Sequence, residues 1–347
     1  MAPDVVDRRT LRHNPANEVT AAVERVTLED GTTEIHKRLR RPADPGPGPG
    51  PGSWAASVDP RHWNYWRREA EVYRSPDLRA DLVAAGLDLP AAEVVEDADG
   101  VTLRLEDVAG TPGTAFDLAD HVALAAGLGR WQGRPTSGAA WTSRRFLRDY
   151  SGSKAVPWHL VDDDAAWRQP LVADTWPAGL RAGWQRLVAH RDRLLAVMER
   201  LPRTRGHLDV WPSNLVRRPA GPVVLLDWAF CGDAALGEDL GNHLPDAVFD
   251  LFWPGERLAE LEEACVPAYL SGLREVGWDG DPDDLRLGVA ASAVKYAWLL
   301  PLMLAHAGDA TFRAYHEPAD GPYLYRQRGI ALAHLARRCD EAIRRLD

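Results

Sequence analysis

Gly206-His207-Leu208-Asp209-Val210-Trp211-Pro212-Ser213-Asn214, followed by Val223-Val224-Leu225-Leu226 and then Asp227-Trp228, is the stretch on which the reading of this chain turns. The short segment Val210-Trp211-Pro212-Ser213 turns the chain, so that Asp209 and Asn214 face one cleft. The Val/Leu run reads as a buried strand, and it carries Asp227 at its end. A carboxylate and an amide are thereby expected on one cleft, with a second carboxylate at the end of the following strand. Hard oxygen donors of this kind suit Mg2+, and a positioned carboxylate can accept the proton of an attacking alcohol. A single polar residue in a turn carries no such information; the ordered set with its strand is a motif in structural context.

The loop resembles the His-Gly-Asp-Leu-His-Pro-Gly-Asn loop of the aminoglycoside phosphotransferase and choline kinase family, and Leu225-Leu226-Asp227-Trp228 resembles that family's Ile-Asp-Trp strand end. Gly237-Glu238-Asp239-Leu240 extends the match, with Asp239 resembling the helix Asp that braces the catalytic loop. Leu208 stands where the family commonly has glycine. The resemblance implies an α+β, bilobal protein-kinase-like fold with a small sheet-plus-helix lobe and a larger, mainly helical lobe. It also implies an ATP-dependent kinase acting on an alcohol, with GTP as the alternative donor. In that scheme Asp209 is the base, His207 and Asn214 complete the catalytic loop, and Asn214 and Asp227 hold magnesium on the triphosphate.

Such an enzyme needs a lysine on the phosphates and a glutamate on a helix to hold it. Residues 19–40 read as a hairpin turning at Glu29-Asp30-Gly31, and in its second strand Ile35, Lys37 and Leu39 share one face. Lys37 is the candidate. In residues 62–73, read as a helix, Trp63, Trp66, Ala70 and Tyr73 share a stripe bordered by Glu69. Glu69 is therefore its expected partner, and Arg68-Glu69-Ala70 resembles the Arg-Glu-Ala of the family's lobe helix. Leu105-Glu106-Asp107-Val108-Ala109-Gly110 resembles the hinge between lobes, where backbone at Glu106, Asp107 and Val108 would meet the purine. No glycine-rich loop precedes the hairpin; Asn14 or Asn17 is the expected carrier of a positive φ there.

The 347 residues suit one bilobal unit, 1–107 binding nucleotide and 108–347 carrying catalysis and the acceptor. Four Pro-Gly pairs run from Pro45 to Gly52, so residues 42–58 read as a flexible excursion from the small lobe. Trp141, Trp158, Trp167 and Trp176 lie in the segment where the resembling family builds its acceptor pocket; aromatic walls would suit a sugar, nucleoside or peptide ring, and packing against the large lobe is expected of most of them. Helices are expected over 184–201, 246–252, 258–276, 285–305 and 323–346. Three scattered cysteines form neither a disulfide framework nor a zinc site, which points to a reducing cytoplasm. The charged amino terminus lacks a signal-peptide pattern, and the longest apolar run is interrupted by Pro301. A net charge of −10 argues against nucleic acid and favours a cationic small-molecule acceptor, with the Asp162-Asp163-Asp164 run as one place to receive it. A Ser/Thr peptide acceptor and a non-catalytic, kinase-like binding protein are the alternatives. Oligomeric state is not legible.

Overall fold

The computed structural model describes residues 4–42, 54–136, 138–315 and 317–346. In chain order its first elements are β1 (Val5–Thr10), β2 (Thr20–Leu28), β3 (Thr33–Arg40), α1 (Arg68–Tyr73), α2 (Pro76–Ala84), β4 (Leu87–Asp88), β5 (Ala92–Glu96), β6 (Gly100–Glu106), β7 (Thr111–Pro112) and α3 (Leu118–Gln132). A five-stranded antiparallel sheet in the order β1-β2-β3-β6-β5 makes the small lobe. The expected hairpin is its centre. Gly31 takes φ +79° in the turn, a conformation glycine adopts without a Cβ penalty, and the Asp30 side chain accepts from the Thr32 backbone N–H at 2.9 Å. Register then sets Lys37 of β3 opposite Leu103 of β6. Leu39, Val101, Leu103 and Leu105 pack against Trp66 and Ala70, which fixes the short helix α1 against the sheet.

That helix begins later than its sequence periodicity suggests. Residues 62–67 are bends and turns around a β-bridge of Tyr65 with Ser57, and α1 spans only Arg68–Tyr73. The reason is local competition: the Arg68 guanidinium captures the carbonyls of Pro60, His62 and Trp63, diverting them from a helical ladder. Trp63 consequently leaves the Trp66/Ala70/Tyr73 stripe and joins a separate aromatic cluster with Phe146, Leu208 and Phe230.

The break between cores falls elsewhere than at Asp107. Ser75 caps α2 by accepting from the Leu78 N–H, with Pro76 in the first turn. Leu78, Leu82, Leu87 and Leu89 then bury themselves in the large-lobe core. β4 pairs in parallel with strand Val223–Leu225 in a second sheet that also holds Leu215–Arg217 and β7. Residues 76–89 thus belong physically to the large lobe.

In that lobe α3 lies against helix Leu258–Glu275 at very close approach. A Cβ added at Gly129 would sit 2.1 Å from the Tyr269 carbonyl oxygen, and one at Gly272 would sit 2.2 Å from that of Ala126. Glycine on both helices permits the crossing. Helices Leu258–Glu275 and Gly321–Leu346 match expectation. The helix expected at 246–252 is instead Glu238–Phe249, and the one at 184–201 divides at His190 into Leu180–Ala189 and Arg191–Arg200. At φ −101°, ψ 7° His190 lets Leu187 and Leu194 both reach the core across the bend. The apolar run Pro282–His306, 78% buried over its most hydrophobic window, bends through a 3-10 turn at Ser292–Tyr296 and lines the core.

Residues 43–53 of the Pro/Gly excursion lie outside the described residues. Its end is not flexible: Trp54 donates to the Ala16 carbonyl at 2.6 Å and packs edge-on against Trp63 and Tyr150. Trp141, Trp158, Trp167 and Trp176 all pack on the large core, the role expected of most of them, and none is left as a wall of an acceptor pocket by its packing alone. The acidic run is likewise structural, Asp163 capping a helix turn and Asp164 pairing with Arg181.

Candidate active site

The loop at 206–214 runs from strand Arg203–Gly206 into a 3-10 turn at Pro212–Asn214. Leu208 sits in the left-handed region at φ +68°, a conformation that costs a non-glycine residue roughly 1–2 kcal/mol. Asp239 holds it there. One carboxylate oxygen accepts the Leu208 N–H at 2.7 Å; the other accepts the His207 N–H at 2.8 Å and the Gln132 side-chain amide at 2.6 Å. Leucine in place of glycine gains burial for its side chain among Trp63, Phe146, Phe230 and Ala234.

His207 does not face the cleft. Its Nε2–H donates to the Leu226 carbonyl at 3.0 Å, and its Nδ1 accepts the Asp209 N–H at 3.2 Å. Burial pushes its pKa down to about 4, so the neutral ring is a strut between loop and strand rather than a proton carrier. A second buried pair supports the loop from below. The Val210 carbonyl only accepts, so His243 Nδ1–H donates to it at 2.8 Å, and His243 Nε2 must then accept from His121 Nδ1–H at 2.8 Å. Burial lowers both rings, His243 to about 4 and His121 to about 3.

Asp209 and Asn214 come together as their spacing suggests. The Asn214 amide N–H2 donates to the Asp209 carboxylate at 3.0 Å and to its carbonyl at 3.1 Å, which leaves the Asn214 side-chain oxygen for another partner. Burial pushes the Asp209 carboxyl up to about 7, with Lys295 opposing and Asp227 and Asp246 adding to the rise. Asp227 closes strand Val223–Leu225 at φ +56°, partly exposed to the cleft. The Asn214 side-chain oxygen and the Asp227 carboxylate are hard oxygen donors of the kind a divalent cation takes.

Lys37 lies between two carboxylates, 2.7 Å from Glu69 and 2.8 Å from Asp227. Burial works against its charge, but Asp227 and Glu69 outweigh it and hold the ammonium well above the usual lysine range. Burial also pushes Glu69 up, to about 7, against the pull of Lys37. Arg68, fully buried, ties this helix to the large lobe: besides the three carbonyls of its own turn it donates to Trp141 at 3.0 Å and Ala229 at 3.2 Å. It thereby links the helix bearing Glu69 to the segment just past Asp227.

The hinge residues sit at the junction between β6 and β7. Their side chains are engaged elsewhere. Glu106 forms a two-pronged pair with Arg218, at 2.5 and 2.7 Å, and its N–H donates to Ala91. Asp107 accepts from Arg25 and Thr33. Among the described residues neither the Asp107 nor the Val108 N–H has a backbone acceptor, so both are hinge donors that a ligand could meet. The expectation of a positive φ at Asn14 or Asn17 fails. Asn14 makes an Asx turn to Ala16, and Asn17 accepts from Val19 and Asn64, both within ordinary backbone geometry.

Four residues beside Asp209 carried no sequence signal. Lys295 is buried and 3.9 Å from Asp246, and Tyr150 and Tyr296 lie in the field of Asp209 and Asp246. They come from three separate helical segments, Lys295 and Tyr296 sharing one 3-10 turn, and only tertiary packing assembles them.

Together the two lobes, the lysine–glutamate pair and the loop–strand acids define a protein-kinase-like fold. No family model matches the sequence, and no curated protein matches it. Solved structures do. The chain is similar to an amicoumacin kinase, hAmiN, solved with AMP-PNP, Ca2+ and Ami, at 15% identity and a TM-score of 0.54, covering 94% of this chain and 88% of that one. It is similar to choline kinase LicA from Streptococcus pneumoniae, at 14% identity and a TM-score of 0.51 over 95% and 94%. A choline/ethanolamine kinase family protein from Mesorhizobium loti gives 16% identity and a TM-score of 0.51 over 98% and 91%. The chain thus has the fold of the aminoglycoside phosphotransferases and choline kinases that its motifs resemble.

Proposed function

We propose that this chain is a small-molecule kinase, moving the γ-phosphoryl group of ATP, or of GTP, to an acceptor hydroxyl in the cytoplasm. The observation that carries the reading is Lys37 held between Glu69 and Asp227 while Asn214 orients Asp209 in the same cleft. Solved kinases of the same fold, one of them with AMP-PNP and Ca2+, support it. Lys37 binds the nucleotide phosphates, and Glu69 keeps it extended from β3. The Val108 N–H receives the purine edge. Asn214 and Asp227 would hold Mg2+, which supplies neutralisation of the charge spread over the phosphate oxygens. Asp209 accepts the acceptor hydroxyl's proton as its oxygen attacks; a carboxylate with a pKa near 7 is well matched to that transfer at neutral pH. The Asn214 amide and the His207 ring fix the direction from which Asp209 approaches.

The test is release of nucleoside diphosphate from Mg-ATP across a panel of hydroxyl acceptors: aminoglycosides, nucleosides, amino alcohols, hydroxy acids and Ser/Thr peptides. Acceptor-dependent release that Asp209→Asn removes supports the reading. Nucleotide binding with no acceptor-dependent release from any member would favour a non-catalytic binding protein.

A further inference from the structure

The phosphotransfer residues leave one cation of this cleft unexplained. The Lys154 ammonium lies 4.3 Å from the Trp298 ring, 4.4 Å from Tyr150 and 4.7 Å from Trp54. Among the described residues it has no carboxylate partner. Lys295 stands 6.0 Å from the same Tyr150 ring and has a carboxylate, Asp246, at 3.9 Å. The Trp298 indole N–H, on a ring that faces Lys154, is buried without an acceptor.

Attraction to three aromatic faces offsets part of the dehydration of Lys154, but rings do not neutralise a charge. Burial first, and Lys295 second, lower its pKa to about 8, as expected of an ammonium lacking a counter-charge. The lone ammonium and the lone N–H call for the same partner, an oxyanion. Tyr150 connects this place to the chemistry, because it packs on the cluster that holds Leu208, the residue just before Asp209. A cationic acceptor is disfavoured here: the chain's own lysine fills the aromatic cage, and a second cation would meet both Lys154 and Lys295.

We propose, resting on the kinase reading above, that the acceptor carries a carboxylate or phosphate group that seats on Lys154 and the Trp298 N–H, with its hydroxyl directed at Asp209. This reverses the cationic acceptor that the net charge suggested.

The test is calorimetric titration of the full chain with D-glycerate, sn-glycerol 3-phosphate, glycerol, ethanolamine and choline, with and without saturating Mg2+ and AMP-PNP. At least one anionic probe should bind about tenfold or more tightly than glycerol, and comparison of the two anions tells a carboxylate site from a phosphate site. Lys154→Met should lose that preference, and Lys154→Arg should keep most of it. Trp298→Phe, which keeps a ring and deletes the N–H, should weaken anion binding several-fold even if Lys154→Met proves unstable. Tighter binding of ethanolamine or choline, parent-like anion binding by Lys154→Met, or no anion binding at tens of millimolar would each overturn the proposal. Binding of Mg2+ and AMP-PNP without anions would leave the kinase reading standing; anion binding without nucleotide would do the reverse.

Discussion

Asp239→Asn should loosen the catalytic loop without unfolding the lobe around it. The carboxylate accepts three hydrogen bonds, two from the backbone of His207 and Leu208 and one from Gln132, and it is almost fully buried. A hydrogen bond to a charged group contributes roughly 1.5–3 kcal/mol. Asparagine keeps one accepting oxygen and turns an N–H2 toward donors. Burial raises the Asp239 pKa even against those three donors, so a neutral amide recovers part of the desolvation cost. The net loss is then about 2–4 kcal/mol. Strain at Leu208, held at φ +68°, adds a push toward release. Local opening should become roughly 30- to 1,000-fold more frequent, since each 1.4 kcal/mol is about a factor of ten. Hydrogen exchange of the amides at His207 and Leu208 reads this directly, with amides of Leu258–Glu275 as the internal control. Parent-like protection at 207 and 208 in the variant would refute the bracing argument.

Three further outcomes follow from the same contacts. Asp209→Asn should lower turnover by about 100-fold or more while nucleotide affinity stays near the parent's; equal turnover would remove Asp209 from the chemistry. Arg68→Met leaves five carbonyls without their donor and should cost about 3 kcal/mol or more in urea unfolding, and a parent-like midpoint would contradict its role as the tie between lobes. His243 has its pKa lowered to about 4 in the folded chain, against about 6.5 unfolded, so its contribution is complete above pH 6.5 and is lost as pH falls toward 4. Between pH 7 and 4 the parent should therefore lose about 3 kcal/mol more stability than His243→Asn, and identical pH slopes would show that the ring is not held neutral.

The parts of this site that were legible in sequence are local. Asp209, Asn214 and Asp227 lie within one loop and the strand after it, and Lys37 follows from alternation along a hairpin with a clear turn signal. Asp239 was legible because a short motif carried it. The acceptor side was not, since Asp246, Lys295 and the Tyr150–Lys154 pair come from three distant segments, and none carries a motif of its own. Helix limits failed where side chains compete with backbone: Arg68 took the carbonyls that would have extended α1 backward. His190 gave no warning of a helix break, having neither proline's missing donor nor glycine's freedom. Trp54 lies next to four Pro-Gly pairs, whose composition outweighed one aromatic residue, yet it packs into the aromatic cluster beside the loop. The four tryptophans of the acceptor segment could not locate the pocket, because a large ring serves a core as well as a pocket, and here all four pack on the core.

The central claim is that Lys37, Asn214 and Asp227 form a working nucleotide site. Calorimetric titration with ATP and with GTP, each with and without Mg2+, tests it most directly. At least one nucleotide should bind in a metal-dependent way, and Asp227→Ala should lose that binding. No binding of either nucleotide in any condition, or undiminished Mg-ATP binding by Asp227→Ala, would contradict it.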